Sequence, residues 1–167
     1  MKTFRDLLGL KEHVFLSSIA DDGDQKLKAR LCLGGHSPLT RPIVGEKVEE
    51  LLAKPVEYSN ANYVDLSWNR YLQFTVCDEG ISAILRDQHY EGGAVRLFSR
   101  SLLLSRIGEI SNGTHTLRGT VQHFGLYCMN HIVDVLAYGE PEIVDLGSRS
   151  FAFGEPLKSK SDRRRPS

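Results

Sequence analysis

The stretch YVDLSWNRYLQFTVC, residues 63–77, contains two runs in which apolar and polar side chains alternate. In the second run, Leu72, Phe74 and Val76 lie on one side of an extended chain, with polar residues between them. Alternation with a period of two is typical of a β-strand that buries one face. Only Asn69 and Arg70 separate the two runs. A two-residue link is short enough for a tight turn, so we predict a hairpin here.

Similar patterns on both sides of this stretch predict the remaining elements. Residues 14–18 and 26–33 form a second predicted hairpin, and further strands are predicted at 95–98, 117–129, 132–136 and 143–144. Short helices are predicted at 1–12, at 44–53 and through 102–107, the last with either Ser99 or Ser101 as its cap. The strands follow one another without the crossover helices that a parallel sheet needs. We therefore predict an α+β fold, with a mainly antiparallel sheet of five to seven strands and two or three short helices on one face.

The length and charge of the chain indicate one domain followed by a tail. The 167 residues are enough for one domain of ordinary size, roughly 100–200 residues. Residues 148–167 hold six basic and two acidic side chains, and the balance makes residues 1–147 mildly acidic because the whole chain has no net charge. We predict a globular domain over 1–147 and a basic, largely disordered tail over 148–167. A neutral chain has no global attraction for nucleic acid, so nucleic-acid binding is not expected.

The N-terminal sequence and the cysteines favour a cytoplasmic protein. Residues 1–6 have no apolar signal region, and no apolar run approaches the ~20 residues of a membrane span. The three cysteines are far apart in the chain, which fits neither a short metal-binding motif nor an even set of disulfides. We expect reduced, buried thiols, no bound metal and no cofactor.

No local motif of established catalytic chemistry occurs in the chain, and this favours a protein without enzymatic activity. The most suggestive polar group is His123, Asn130, His131 and Asp134. An unbroken strand would separate the two histidines by about 26 Å, whereas a reversal of the chain near Asn130 would bring them together. These four residues are the candidates for a ligand pocket, and partly buried structural side chains are the alternative interpretation.

A second candidate group surrounds the predicted 63–77 hairpin. Exposed aromatic side chains are common anchors at protein interfaces, and neighbouring carboxylates would suit a basic partner. The alternative is that the tryptophan fills the core while the carboxylates are solvated. The candidate partner-binding residues are Asp65, Trp68, Tyr71, Asp78 and Glu79.

The second half of the chain resembles small uncharacterised bacterial proteins. The resemblance covers roughly residues 60–145 and rests on Trp68-x-x-Tyr71, Asp78-Glu79, Phe98-Ser99-Arg100-Ser101, His123-Phe124-x-Leu126-x-x-x-Asn130-His131-x-x-Asp134-Val135 and Glu140-Pro141. Some of these proteins look like immunity or accessory proteins of toxin gene neighbourhoods. The resemblance implies a bacterial binding protein, and its motifs carry no catalytic assignment.

Three hypotheses about function follow from the sequence. The leading one is a non-enzymatic module, of immunity type, that sequesters a partner protein. The second is a small-molecule-binding or catalytic domain with a pocket near His123, His131 and Asp134. The third is a structural subunit of a homo-oligomer, in which an edge strand pairs across a two-fold axis.

Overall fold

The structure of the chain is a computed structural model. It describes residues 3–11, 13–36, 41–45, 48–53, 56–81, 88–111 and 119–148. The predicted disordered tail lies almost entirely outside these residues. In chain order the elements are α1 (Phe4–Leu8), β1 (His13–Asp21), β2 (Leu27–His36), β3 (Arg41–Gly45), β4 (Val48–Ala53), β5 (Val56–Trp68), β6 (Tyr71–Cys77), a 3-10 turn (Glu79–Ile81), β7 (His89–Gly92), β8 (Val95–Arg100), α2 (Leu102–Ser111), β9 (Gln122–Tyr127), β10 (Ile132–Ala137) and β11 (Glu142–Ser148).

The strands form two larger antiparallel sheets and one separate hairpin. The four-stranded sheet has the order β1-β2-β5-β11, and the five-stranded sheet has the order β6-β10-β9-β8-β7. Strands β3 and β4 pair only with each other among the described strands. The predicted α+β class with mainly antiparallel strands is therefore confirmed. The prediction of one sheet of five to seven strands is wrong, because nine strands divide between two sheets.

The core lies between the inward faces of the two sheets. The four-stranded sheet contributes alternate residues of β2 and β5 to the core, including Leu31 and Val64. The five-stranded sheet contributes Phe124 and Val135. Helix α1 contributes Phe4 and Leu7 to the same core, and the ring of Phe4 meets that of Phe124 edge-on at 4.8 Å between centroids.

The hairpin predicted at residues 14–18 and 26–33 is confirmed, because β1 and β2 pair antiparallel. Its turn contains Gly23, Asp24 and Gln25, all with positive φ, and the amide of Asp22 donates to the carbonyl of Lys26 at 2.9 Å.

The predicted hairpin at residues 63–77 is wrong, although both of its strands exist. Strand β5 ends at Trp68 in the four-stranded sheet, and β6 begins at Tyr71 in the five-stranded sheet. Asn69 and Arg70 carry the chain from one sheet to the other, and the amide of Tyr71 donates to the carbonyl of Gln25. Two strands that face each other across a core show the same alternation as two strands that pair side by side. The pattern alone therefore does not distinguish the two arrangements.

The helix predicted at residues 44–53 is also wrong. This segment contains the end of β3 and the whole of β4, which pair antiparallel. Only three apolar residues, Val48, Leu51 and Leu52, supported the helical spacing. A pattern this short is compatible with either element, and pairing of the backbone decides between them.

Helix α1 and the residue that caps α2 contact β9 through Phe124 and His123, which lie on opposite sides of that strand. Helix α1 packs against Phe124 on the core side of β9. Helix α2 begins beside His123, which points to the other side of the same strand. The amide of Leu104 donates to Ser101 Oγ at 3.1 Å, so Ser101 caps α2. Within the described part of the chain, neither helix has the length and apolar character needed to cross a membrane.

Candidate functional site

Three polar side chains form a hydrogen-bonded relay on the outer side of the five-stranded sheet. The chain reverses between β9 and β10, so that Asp134 lies opposite Gly125 and diagonally beside His123. His123 Nε2 is 2.9 Å from Asp134 Oδ1, and His123 Nδ1 is 2.8 Å from Ser101 Oγ. The sequence suggested His123 and Asp134 as site residues. It did not suggest Ser101, which was considered only as a helix cap.

The partners of the relay determine where its protons lie. A carboxylate accepts hydrogen bonds, so His123 Nε2 carries the proton that it shares with Asp134. In the neutral imidazole His123 Nδ1 is then an acceptor, and the hydroxyl of Ser101 donates to it. Ser101 Oγ also accepts the amide of Leu104, which is compatible with this direction. The hydrogen bonds thus run from the serine hydroxyl to the histidine and from the histidine to the carboxylate, as in nucleophilic serine sites. Here Nδ1 faces the serine and Nε2 faces the carboxylate, which is the reverse of that arrangement.

The surroundings of the relay are closely packed. His123 is 1% exposed and Ser101 is 2% exposed. The ring of Phe98 stacks on His123 with 4.1 Å between centroids and 10° between planes. A Cβ at Gly125 would lie 2.8 Å from Phe98 Cε2 and 2.9 Å from a ring carbon of Tyr127. Glycine at position 125 therefore leaves room for the rings of Phe98 and Tyr127.

The other two predicted pocket residues have different environments. The side-chain amide of Asn130 accepts from the amide of Leu16 at 2.9 Å and donates to the carbonyl of Leu16 at 3.0 Å. It therefore holds the β9–β10 turn against β1. His131 is exposed at that turn, where its carbonyl accepts from Cys128. Of the four predicted pocket residues, His123 and Asp134 are in direct contact, and the ligand pocket itself stays a prediction.

Trp68, the central residue of the predicted partner-binding surface, is buried. It is 1% exposed, and its ring packs against Phe124 at 5.9 Å between centroids. The use of Trp68 as an exposed anchor is therefore wrong. The physical reason is that the end of β5 lies over the inter-sheet core rather than on an outer hairpin.

The remaining residues of that predicted surface do not form one contact group. Asp65 accepts two hydrogen bonds from Arg30, at 2.7 and 2.9 Å, on the outer side of the four-stranded sheet. The hydroxyl of Tyr71 donates to Asp21 at 2.7 Å, and this hydrogen bond raises the pKa of Tyr71. Asp78 and Glu79 are exposed where β6 ends. Tyr71 thus begins β6 and Asp78 and Glu79 follow it, whereas Asp65 belongs to the other sheet.

Strand β6 is an edge that the sequence did not suggest as a site. Among the described strands it pairs only with β10. Its sequence, YLQFTVC, contains neither charge nor proline. Gln73 and Thr75 are exposed, and Val76 is 40% exposed. Leu72 has no partner on β10, so a bulge interrupts the pairing of the two strands near the N-terminal end of β6. The mistaken hairpin assignment concealed this edge, because it paired β6 with β5.

A cavity of about 290 Å³ lies where α1 and α2 approach β8 and β9. None of the residues that were predicted as site residues lines it. Its lining residues are Arg5, Glu91, Leu97, Phe98, Ser99, Leu104, Val121 and Gln122.

Metal binding and disulfide formation find no support within the described residues. No group of three or more histidine, cysteine or acidic side chains has the geometry to hold a metal ion in that part of the chain. All three cysteines are free thiols, with Cys32 and Cys128 buried and Cys77 half-buried. Burial raises the pKa of Cys128 to about 12, so this thiol stays protonated at neutral pH.

Comparisons of the chain with protein-family models, curated proteins and solved structures found no match. The resemblance to small bacterial proteins therefore stays a prediction. The β6 edge and the Ser101–His123–Asp134 relay are the two candidate functional features.

Proposed function

We propose that this chain is a protein-binding module that takes up an extended segment along the edge of β6. In such strand addition, backbone hydrogen bonds provide affinity and alternate side chains provide specificity. The observation that carries the proposal is a seven-residue edge strand without charge or proline. Lysine, proline and inward-facing charges are the usual means by which proteins protect such an edge.

The side chains around β6 define the segment that would bind there. Val76 and the half-buried Phe74 provide an apolar contact on one face, and Gln73 and Thr75 provide a polar contact on the other. Asp78 and Glu79 follow directly and are exposed. A complementary segment therefore alternates apolar and polar residues and carries a basic residue at the end that meets these carboxylates.

This proposal keeps the binding role expected from the sequence but changes the surface. Tyr71, Asp78 and Glu79 remain part of it, while Trp68 and Asp65 do not. The resemblance to immunity-like bacterial proteins supports a role in sequestering a partner, and strand addition provides the mechanism for it.

Selection of displayed peptides provides the test. A library of extended peptides is selected against the immobilised protein, and the affinity of enriched peptides is measured for wild type, Val76→Lys and Val144→Lys. Val144, on edge strand β11, is the matched control because it is 44% exposed, against 40% for Val76. We expect Val76→Lys to weaken binding by about tenfold or more, since a lysine would have to be desolvated, and Val144→Lys to have no effect. Failure to enrich any peptide, or equal binding by both variants, would contradict the proposal.

A second candidate function, ester hydrolysis at Ser101, is favoured by the relay. Ser101 Oγ would attack an ester carbonyl while its proton passes to His123 Nδ1. As the tetrahedral adduct collapses and the bond to the leaving oxygen breaks, His123 would give that proton to the leaving alcohol. Water would then repeat these steps and release the acid. This function ranks second because Ser101 is 2% exposed, which restricts the approach of a substrate.

Labelling with a fluorophosphonate tests this second candidate. Attack by Ser101 Oγ would displace fluoride and leave a phosphonyl group on the serine, which peptide mass spectrometry locates. The control is Ser99→Ala, because Ser99 lines the nearby cavity but bonds the carbonyl of His89 instead of the relay. Hydrolysis at Ser101 requires labelling of wild type and Ser99→Ala at this position; an unlabelled wild-type protein excludes it.

A further inference from the structure

We infer that the cavity where α1 and α2 approach β8 and β9 binds a free amino acid with an apolar side chain. Its volume is about 290 Å³. Ligand pockets in proteins measure roughly 300–1,000 Å³, so this cavity suits a ligand at the small end of that range. None of the described residues that line it belongs to the β6 edge or to the Ser101–His123–Asp134 relay. The inference is therefore independent of both proposed functions.

The fold fixes the two charged residues of the cavity in place. Arg5 belongs to α1, whose apolar side is buried in the core. The amide of Gly93, in the turn between β7 and β8, donates to the carbonyl of Leu8 at 3.3 Å and holds the end of the helix against this turn. Glu91 on β7 pairs with Leu97 on β8, so their side chains share one face of the sheet. The cavity is thus formed without a ligand.

Arg5 and Glu91 give the cavity one charge of each sign. Among the residues that the structure describes, neither side chain forms an ion pair or a hydrogen bond with another residue. A ligand with only a negative charge would be repelled by Glu91, and one with only a positive charge would be repelled by Arg5. A ligand that carries both a carboxylate and an ammonium group matches both residues.

The exposure of the lining residues orients such a ligand. Arg5 and Glu91 are exposed, whereas the apolar lining residues Leu97, Leu104 and Val121 are half-buried. The charged groups of the ligand would therefore stay near water, at the mouth of the cavity. Its apolar side chain would enter and cover the three apolar residues, which is the favourable direction for burial.

Two neutral polar residues complete the lining. Gln122 is half-buried, and its side-chain amide can donate to the carboxylate or accept from the ammonium. Ser99 Oγ donates to the carbonyl of His89 at 3.3 Å, so its lone pairs can accept from the ammonium as well. The cavity thus offers partners for both charged groups of an amino acid. This combination favours a free amino acid over an acid or an amine of similar size.

Titration of the ¹⁵N-labelled full chain with leucine, valine, methionine and phenylalanine, followed by nuclear magnetic resonance, tests the inference. We expect at least one of these amino acids to bind with a Kd of about 1 mM or lower. The side-chain amide signals of Gln122 and the backbone signals of Leu97 and Ser99 should shift. Weaker binding by all four, or shifts confined to other parts of the chain, would overturn the inference.

Analogues of the amino acid that binds best identify the roles of the two charges. Its amide form lacks the carboxylate and its N-acetyl form lacks the ammonium, so each should bind about five- to tenfold more weakly. We expect Arg5→Gln to weaken the amino acid by the same factor without weakening the amide form. Glu91→Gln should weaken the amino acid without weakening the N-acetyl form.

Arg106→Gln and Glu142→Gln are the matched controls, because both residues are exposed and lie outside the lining of the cavity. We expect both controls to bind the amino acid as wild type does, and all four variants to keep the circular dichroism of wild type. An equal loss of affinity in cavity variants and controls would overturn the inference. So would an Arg5→Gln chain that binds the amide form as weakly, relative to wild type, as it binds the amino acid.

Discussion

Gly125 and its neighbours illustrate how one residue controls the packing of the outer sheet face. Phe98 and Tyr127 approach each other over this glycine, and both rings have further contacts that restrict their movement. Phe98 stacks on His123, and the guanidinium of Arg96 lies 3.6 Å from the ring centroid of Tyr127. A side chain at position 125 therefore cannot be accommodated by rotating one ring alone.

The substitution Gly125→Ala tests this packing. We expect it to lower the free energy of unfolding by about 1–3 kcal/mol, because the added methyl group overpacks the space between the rings. Urea unfolding followed by circular dichroism measures the change. Gly139→Ala is the control, since a Cβ there would meet nothing within 4 Å. Equal stability of the two variants would show that the rings move more freely than their contacts indicate.

At the scale of elements, the two sheets are joined by a few polar contacts as well as by the core. The turn between β9 and β10 contacts β1 through the side chain of Asn130 and through the amide of Met129, which donates to Val14 at 2.8 Å. The sequence predicted Asn130 as a residue of a ligand pocket. Its two bonds to Leu16 give it the role of connecting one sheet to the other.

We expect Asn130→Ala to lower the free energy of unfolding by about 2–3 kcal/mol, because the partly buried backbone groups of Leu16 lose their partners. Urea unfolding at constant pH measures this loss. His131→Ala should change stability by less than about 0.5 kcal/mol, since His131 is exposed beside the same turn. A small effect of Asn130→Ala would mean that water or the backbone replaces the amide.

At the scale of the whole molecule, the two sheets share one hydrophobic core and should unfold together. Trp68 lies in that core and is the one tryptophan of the chain, so its fluorescence reports on the packing of the sheets. Far-ultraviolet circular dichroism reports on the strands themselves.

We expect urea to change the tryptophan emission and the circular dichroism at the same concentration, with the emission shifting to longer wavelength on unfolding. Because Trp68 and Phe124 come from different sheets, separation of the sheets would expose the indole at once. An emission shift that precedes the loss of circular dichroism would show that the sheets separate before they unfold.

The sequence by itself determined the local features of this protein. The alternation in 63–77 and the apolar residues around Val133 depend on neighbours along the chain, and they correctly predicted strands. The sequence also predicted an antiparallel arrangement, because connections between strands were short. Helix α2 was predicted from its apolar spacing and from a serine cap.

Only the tertiary structure decided which strands are neighbours. A strand has the same alternating pattern whether its partner lies beside it or across the core, so the sequence did not separate β5 from β6. For the same reason it did not show that Trp68 is buried and that β6 is an edge. The meeting of Ser101 with His123 was equally unpredictable, because long-range strand pairing and the entry of α2 bring together side chains that are distant in the chain.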